Sequence, residues 1–380
     1  MSWKETYNAW KNYQALEPDL KDELAKLEGN DEAMEDAFYA PMEFGTAGMP
    51  GVIGAGINRM NVYTVRQATE GLASLMDTLD EETKRRGVAI SYDSRHKSQE
   101  FAFESARVLG AHGIPSFVFE SLRPTPELSF TVRHLHAYAG IMITASHNPK
   151  QYNGYKIYGE DGAQMPPKES DLITKYIREV DDIFAVEAAD KDALINDGTL
   201  KVIGSEIDKE YLAEVKKVTV DPELVAEEGK TMKLIFTPLH GTGAMLGEKA
   251  LRQAGFEDFT MVPEQATPDA DFSTVEHPNP EFPEAFDLAI KLGKRDDADL
   301  LIAVDPDADR LGAAVRQPDG DYKLLTGNQI AAIMLNYILT ARKNAGTLPE
   351  NGALVKSIVS SEFAAKVAKD FGCDTINVLT

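Results

Sequence analysis

The sequence predicts an α/β protein: tandem α/β domains with parallel or mixed sheets, preceded by an N-terminal helical extension. Three observations carry this reading. Short apolar runs recur along the chain, among them Val88-Ala89-Ile90-Ser91-Tyr92, Ala139-Gly140-Ile141-Met142-Ile143, Lys233-Leu234-Ile235-Phe236-Thr237 and Leu300-Leu301-Ile302-Ala303-Val304. Longer amphipathic stretches separate them, the rhythm of βαβ units. A length of 380 residues with 43% hydrophobic content also suffices for roughly two or three domains, each with its own core.

Residues 3–27 carry Trp3, Tyr7, Trp10, Leu20, Leu24 and Leu27 at spacings mostly of threes and fours, broken near Pro18. This predicts amphipathic helix whose apolar stripe packs on the body, and residues 1–40 are assigned to the extension. From about Pro41 the first domain runs to residue 210. It holds a helix over 65–79, the strand 88–92, a helix over 99–111 closed by Gly113, a strand at Pro115-Ser116-Phe117-Val118-Phe119, the strand 139–143, and a charged helix near 168–181. A second domain, 211–325, opens with the strand at Lys233 and closes with the strand that ends at Val304. A third begins near Thr326, with a strand at Ala353–Val359, a helix capped by Ser360 or Ser361, and a last strand at Cys373–Leu379. Residues 326–380 are too few to complete a doubly wound layer, so the sequence reads as truncated within its third domain.

With 39 Lys and Arg against 62 Asp and Glu, the net charge is −23, which argues against nucleic acid or an anionic membrane as partner. Screening over roughly 8–10 Å at physiological salt still lets a local cluster of cations decide the potential inside a cleft. The single Cys373 excludes an internal disulfide and a cysteine-rich zinc site, and fits a reducing compartment. No stretch approaches a membrane span, and Met1-Ser2-Trp3-Lys4-Glu5 lacks a signal-peptide core, so a cytoplasmic location is expected.

Two loops stand where apolar strands end: Thr144-Ala145-Ser146-His147-Asn148-Pro149 after Ile143, and Asp305-Pro306-Asp307-Ala308-Asp309-Arg310 after Val304. The carboxyl ends of strands are where α/β sheets bind ligands. One loop offers a hydroxyl. The other offers three alternating carboxylates suited to a hard cation, Mg²⁺ by preference. Together they point to phosphoryl transfer through a serine, assisted by a divalent ion. A serine that merely ends a strand and a solvated acidic turn are the plain alternatives. An EF-hand reading of the aspartates fails, because Arg310 stands where its glycine belongs and Arg316 where its glutamate belongs. Gly241-Thr242-Gly243 has Leu246 in place of the third dinucleotide-binding glycine, His240 beside it reads as a loop histidine, and no hydrolase elbow occurs.

With Phe44-Gly45-Thr46-Ala47-Gly48 ahead of them, these two loops occur in the order and spacing of the α-D-phosphohexomutases, and Gly56-Ile57-Asn58-Arg59-Met60-Asn61 is similar to the bacterial phosphoglucomutase and phosphopentomutase subgroup. From about residue 40 onward the chain resembles this family. The resemblance implies phosphohexomutase-type domains, with the rest of a third domain and a fourth beyond Thr380, among them the loop that reads the sugar. It implies a phosphoserine at Ser146, with Mg²⁺ held by Ser146, Asp305, Asp307 and Asp309. His147, Lys156 and Arg310 would act beside it, and Arg59 and Arg95 would contact phosphate. The implied reaction interconverts glucose 1-phosphate and glucose 6-phosphate, with glucose 1,6-bisphosphate as intermediate and activator. Phosphopentose or phosphomannose as substrate, or a fragment that binds metal or sugar phosphate without turnover, are the alternatives. One position departs from the family: Gly48-Met49-Pro50-Gly51 carries proline where relatives carry an arginine expected to contact the active-site phosphate, and Arg59 is the candidate substitute.

Overall fold

The computed structural model describes residues 2–45 and 48–379, so Thr46 and Ala47 of the Phe44–Gly48 segment lie outside the described residues, as does Thr380. Six strands form the first sheet: β1 (Met49–Val52), β2 (Val88–Tyr92), β3 (Ser116–Phe119), β4 (Ala139–Ile143), β5 (Tyr152–Tyr158) and β6 (Leu200–Ile203). Their order is β1-β5-β4-β2-β3-β6. β4, β2, β3 and β6 run parallel, whereas β5 folds back antiparallel on β4 and carries β1 at the edge. The second sheet comprises β7 (Leu234–Thr237), β8 (Phe259–Met261), β9 (Leu300–Val304), β10 (Leu311–Arg316) and β11 (Tyr322–Leu324), in the order β11-β10-β9-β7-β8. β9, β7 and β8 are parallel, with β10 and β11 antiparallel beyond β9. β12 (Ala353–Ser357) and β13 (Asp374–Val378) pair parallel by themselves.

Both large sheets are therefore mixed, and they share one device. β4 and β9 are each the last parallel strand before the sheet turns antiparallel, and each is joined to its antiparallel neighbour by a loop. The β4–β5 loop carries Ser146, and the β9–β10 loop carries the three aspartates. The parallel strands β2 and β4 are buried along their whole length, as expected for strands covered on both faces. The antiparallel strands β10 and β11 leave a weaker sequence signal, because both are partly exposed and β11 has only three residues.

Helical boundaries follow local chemistry. The helix Val62–Asp77 starts three residues before the expected 65, because Asn61 caps it by accepting from the N–H groups of Tyr63 and Thr64. The charged helix spans Pro167–Arg178 and the late helix Glu362–Asp370 is capped by Ser361. Ala353–Val359 is strand only to Ser357, with a turn following. Among the described residues no helix is long and apolar enough to cross a membrane.

The N-terminal segment forms helices Trp3–Asn12 and Pro18–Leu27, broken at Pro18 as its sequence indicates, and a third, Asp31–Phe38, too short to stand out by periodicity. Trp10 is buried and meets Phe38, Tyr63 and Phe184 edge-on, with ring centroids 5.7, 5.6 and 5.3 Å away. The extension is thus packed on the body. Trp10→Ala should destabilise the protein by about 3–5 kcal/mol, read as a lower urea midpoint. An unchanged midpoint would mean that the extension unfolds independently of the first sheet.

Candidate active site

Tyr92 and Ile143 are partners on the parallel strands β2 and β4, so the next residues, Asp93 and Thr144, leave the sheet side by side. The Thr144 hydroxyl donates to Asp93 Oδ2 at 2.7 Å and accepts the Ser146 backbone N–H at 2.8 Å. Ser146 itself adopts a left-handed backbone, φ 52°, a conformation that costs a non-glycine residue on the order of 1 kcal/mol. The loop is held there by Arg95. Its terminal nitrogens donate to the carbonyls of Ser146 (2.6 Å), Asn148 (2.5 Å), Pro149 (2.9 Å) and Tyr152 (3.1 Å). Its Nε pairs with Asp93 at 3.2 Å in a fully buried contact. Arg95 is therefore committed to the serine loop rather than offered as a free phosphate contact.

In the β9–β10 loop the carboxylates of Asp305, Asp307 and Asp309 bring one oxygen each within 4.8 Å of one another. They do so by a tight turn in which Ala308 is left-handed, φ 54°, not by strand alternation. The turn leans on Gly241, where any side chain would begin 2.3 Å from Pro306 Cα, and Thr242 N–H donates to the Pro306 carbonyl at 2.8 Å. His240 is packed away from this chemistry, its ring held by Thr267 O at 3.2 Å and Thr274 Oγ1 at 2.8 Å.

The two loops meet. Ser146 Oγ donates to Asp305 Oδ2 at 2.7 Å, and His147 Nδ1 lies 3.3 Å from the same hydroxyl. Lys156, on β5, reaches Asp307 Oδ2 at 3.4 Å. Arg310 donates its backbone N–H to Asp305 Oδ1 at 3.0 Å and holds its half-exposed guanidinium 3.9 Å from Asp309. Arg59 is elsewhere engaged: its guanidinium pairs with Asp36 and donates to the carbonyls of Asp36 and Asn58. Thr144 stands in the serine loop that the sequence marks out, but two further participants, Asp93 and Thr125, were not singled out there. Asp93 could be found from strand register, but Thr125, whose hydroxyl donates to Asp307 Oδ2 at 2.9 Å, comes from 182 residues away and carries no motif.

Burial, with Asp307 and Asp309 close by, pushes the Asp305 carboxyl up to about 8. Burial and Asp307 likewise raise Asp309. Burial also works against ionising Asp307, but Lys156, the neighbouring Asp305 carboxyl and the Thr125 hydroxyl outweigh it and hold Asp307 below the usual carboxylate range. Burial, then Arg310, depresses His147, so its imidazole is neutral near pH 7. This cluster fits a divalent cation. Its donors are hard carboxylate oxygens, and the buried Asp307 Oδ1 has no hydrogen-bond partner, an omission expected of a metal ligand and otherwise costly. Asp305, Asp307 and Asp309, with the Ser146 oxygen beside them, would hold it.

Comparison with known proteins shows the family. Residues 41–183 match the family model described as phosphoglucomutase/phosphomannomutase, alpha/beta/alpha domain I, and residues 209–320 match its alpha/beta/alpha domain II. A phosphoglucomutase of Staphylococcus saprophyticus is 37% identical over 350 residues, and one of Staphylococcus aureus strain USA300 is 38% identical over 352. Each match covers 92% of this chain but 61% of the relative, so the chain spans less than two thirds of their length. Among solved structures, a phosphoglucomutase/phosphomannomutase family protein of Burkholderia thailandensis shares the fold with a TM-score of 0.68 at 19% identity, over 89% of this chain and 66% of that one. The open form of the Paramecium phosphoprotein parafusin, a phosphoglucomutase, does so at 0.67 and 20%, over 90% and 62%. Two domain matches covering more than half of the sequence, on the two sheets whose loops meet at Ser146, place the chain in the phosphoglucomutase/phosphomannomutase family.

Proposed function

We propose that the protein is a phosphoglucomutase that interconverts glucose 1-phosphate and glucose 6-phosphate through a phosphoserine at Ser146 and a glucose 1,6-bisphosphate intermediate. The observation that carries this reading is the contact of 2.7 Å between Ser146 Oγ and Asp305 Oδ2, which sets a hydroxyl from one sheet against a carboxylate cluster from another. In the forward half-reaction the phosphoryl group leaves Ser146 Oγ for the free sugar hydroxyl, whose proton must be taken up. The bisphosphate then turns over in the cleft and returns its other phosphoryl group to Ser146, so no phosphate is consumed.

His147, neutral and 3.3 Å from Ser146 Oγ, is placed to exchange a proton with that oxygen once Asp305, at 2.7 Å, is engaged by a metal. Lys156 and Arg310 supply positive charge for the phosphoryl oxygens. A bound Mg²⁺ would add the charge neutralisation that three carboxylates otherwise oppose. Asp305, pushed up to about 8 without a metal, would ionise on binding a divalent ion, and the ion would offset the charge of the carboxylates beside an anionic sugar phosphate. The test is a coupled assay of glucose 1-phosphate with Mg²⁺ and glucose 1,6-bisphosphate, beside mannose 1-phosphate and ribose 1-phosphate. Preference for mannose or ribose would reassign the sugar. No turnover of any of them by protein carrying phosphate on Ser146 would overturn the mutase reading.

Pro50 lies on the edge strand β1 opposite Gly154, a position where a missing N–H is tolerated. Arg59 is tied to Asp36, so it is not free to stand in for the arginine that the resemblance leads one to expect at position 50. Pro50→Arg should raise kcat/KM about tenfold and change the unfolding midpoint little. No gain, with Arg59→Ala severely impaired, would mean that Arg59 serves after all.

A further inference from the structure

Thr125 stands between Pro124 and Pro126 as the first residue of the helix Thr125–His134. A first-turn N–H has no partner within its own helix; this one donates to the Asp307 carbonyl at 2.9 Å, while the Thr125 hydroxyl donates to Asp307 Oδ2, also at 2.9 Å. Two donors from one residue thus grip both the main chain and the side chain of an aspartate on the other large sheet. The grip is itself anchored. Arg123 is bound to both carboxylate oxygens of Asp208, at 2.7 and 3.2 Å. Its N–H donates to Tyr92 O at 3.2 Å, and its carbonyl accepts from Ser91 Oγ at 2.9 Å. With a proline on either side restricting the backbone, the hydroxyl is fixed relative to β2.

We propose that Thr125 is a positioning residue for the cation site: together with Lys156 it occupies Asp307 Oδ2 and so reserves Oδ1, which has no hydrogen-bond partner, for the metal. The assignment rests on the phosphomutase reading of the site, but it concerns how the cation is held. A buried carboxylate with one free oxygen can turn about its Cβ–Cγ bond. Lys156, at 3.4 Å, is too distant to stop it alone, and the shorter bond from a hydroxyl on a rigid turn does. Partners that orient metal ligands in this way typically account for about tenfold to a hundredfold in metal affinity.

The experiment is a Mn²⁺ and Mg²⁺ titration of the metal-free protein, by calorimetry and by the Mn²⁺ paramagnetic resonance signal, on wild type, Thr125→Val and Thr125→Ser. Valine keeps the branched shape and the backbone donor but loses the hydroxyl. It should weaken both ions by about tenfold. Serine restores the donor and should stay within about threefold of wild type. In turnover assays Thr125→Val should need correspondingly more Mg²⁺ for half-maximal rate, with the sugar-phosphate KM unmoved and the rate recovered at saturating Mg²⁺. If Thr125→Val fails to melt cooperatively, Thr125→Ala is titrated in its place. Affinities of the hydroxyl-free variant equal to wild type, or serine as damaging as valine, would overturn the proposal and leave Thr125 a structural contact. The cation titration does not depend on turnover. A wild type that binds Mg²⁺ but transfers no phosphate would defeat the mutase reading while leaving the Thr125 result standing.

Discussion

Ser146→Ala should reduce phosphoryl transfer by at least about a thousandfold while leaving the protein folded. The hydroxyl is the only atom lost, and the loop that presents it is fixed by groups that remain: Thr144 on Asp93, and Arg95 on the four surrounding carbonyls. Alanine and serine both carry a Cβ, so the left-handed backbone at 146 costs nearly the same in each. The hydrogen bond to Asp305 does disappear, which sets a stability loss of about 1–3 kcal/mol. That loss separates catalysis from folding, since such a change cannot unfold most of a typical domain. Intact-mass measurement after incubation with glucose 1,6-bisphosphate should find one phosphoryl group on the wild type and none on the variant. Substantial mutase activity in Ser146→Ala would mean that another residue carries the phosphate.

Ser146 and the aspartates were legible because each loop follows an unbroken apolar run of strand length, as parallel strands covered by helices show. The cations were less so. The family resemblance makes Arg95 a phosphate contact, yet its guanidinium is turned onto carbonyls that only the folded loop brings together. Arg59 is claimed by Asp36, on a helix too short to be seen by periodicity. Alternation of Asp305, Asp307 and Asp309 points their side chains to one side of the loop. The convergence instead needs the left-handed Ala308, a conformation that no side-chain pattern announces. Thr125 was invisible for the same reason: a threonine between prolines is ordinary until the second sheet places Asp307 against it.

Asp307→Asn should weaken Mg²⁺ by at least about a hundredfold, more than the loss of one formal charge suggests. A carboxamide has one accepting oxygen and one donating nitrogen. Lys156, which can only donate, lies against the Oδ2 side with the Thr125 hydroxyl, so the amide oxygen is drawn to that side and the NH₂ group turns toward the cation. The site then loses a ligand and gains a repulsive edge. Activity should fall in parallel, and exhaustive chelation of the wild type should abolish it until Mg²⁺ is returned. The metal-free protein offers a second readout. Asp305 is raised from 3.8 to about 8 by burial first and then by Asp307 and Asp309, so its neutral form favours the folded state below the unfolded value. That contribution is lost as pH rises toward 8. In chelator the wild type should therefore lose stability between about pH 4 and 8, and Asp307→Asn should lose less, because one of the charges opposing Asp305 ionisation is gone. Unchanged Mg²⁺ affinity, together with identical pH slopes for the two proteins, would show that the three aspartates serve the fold and not a cation.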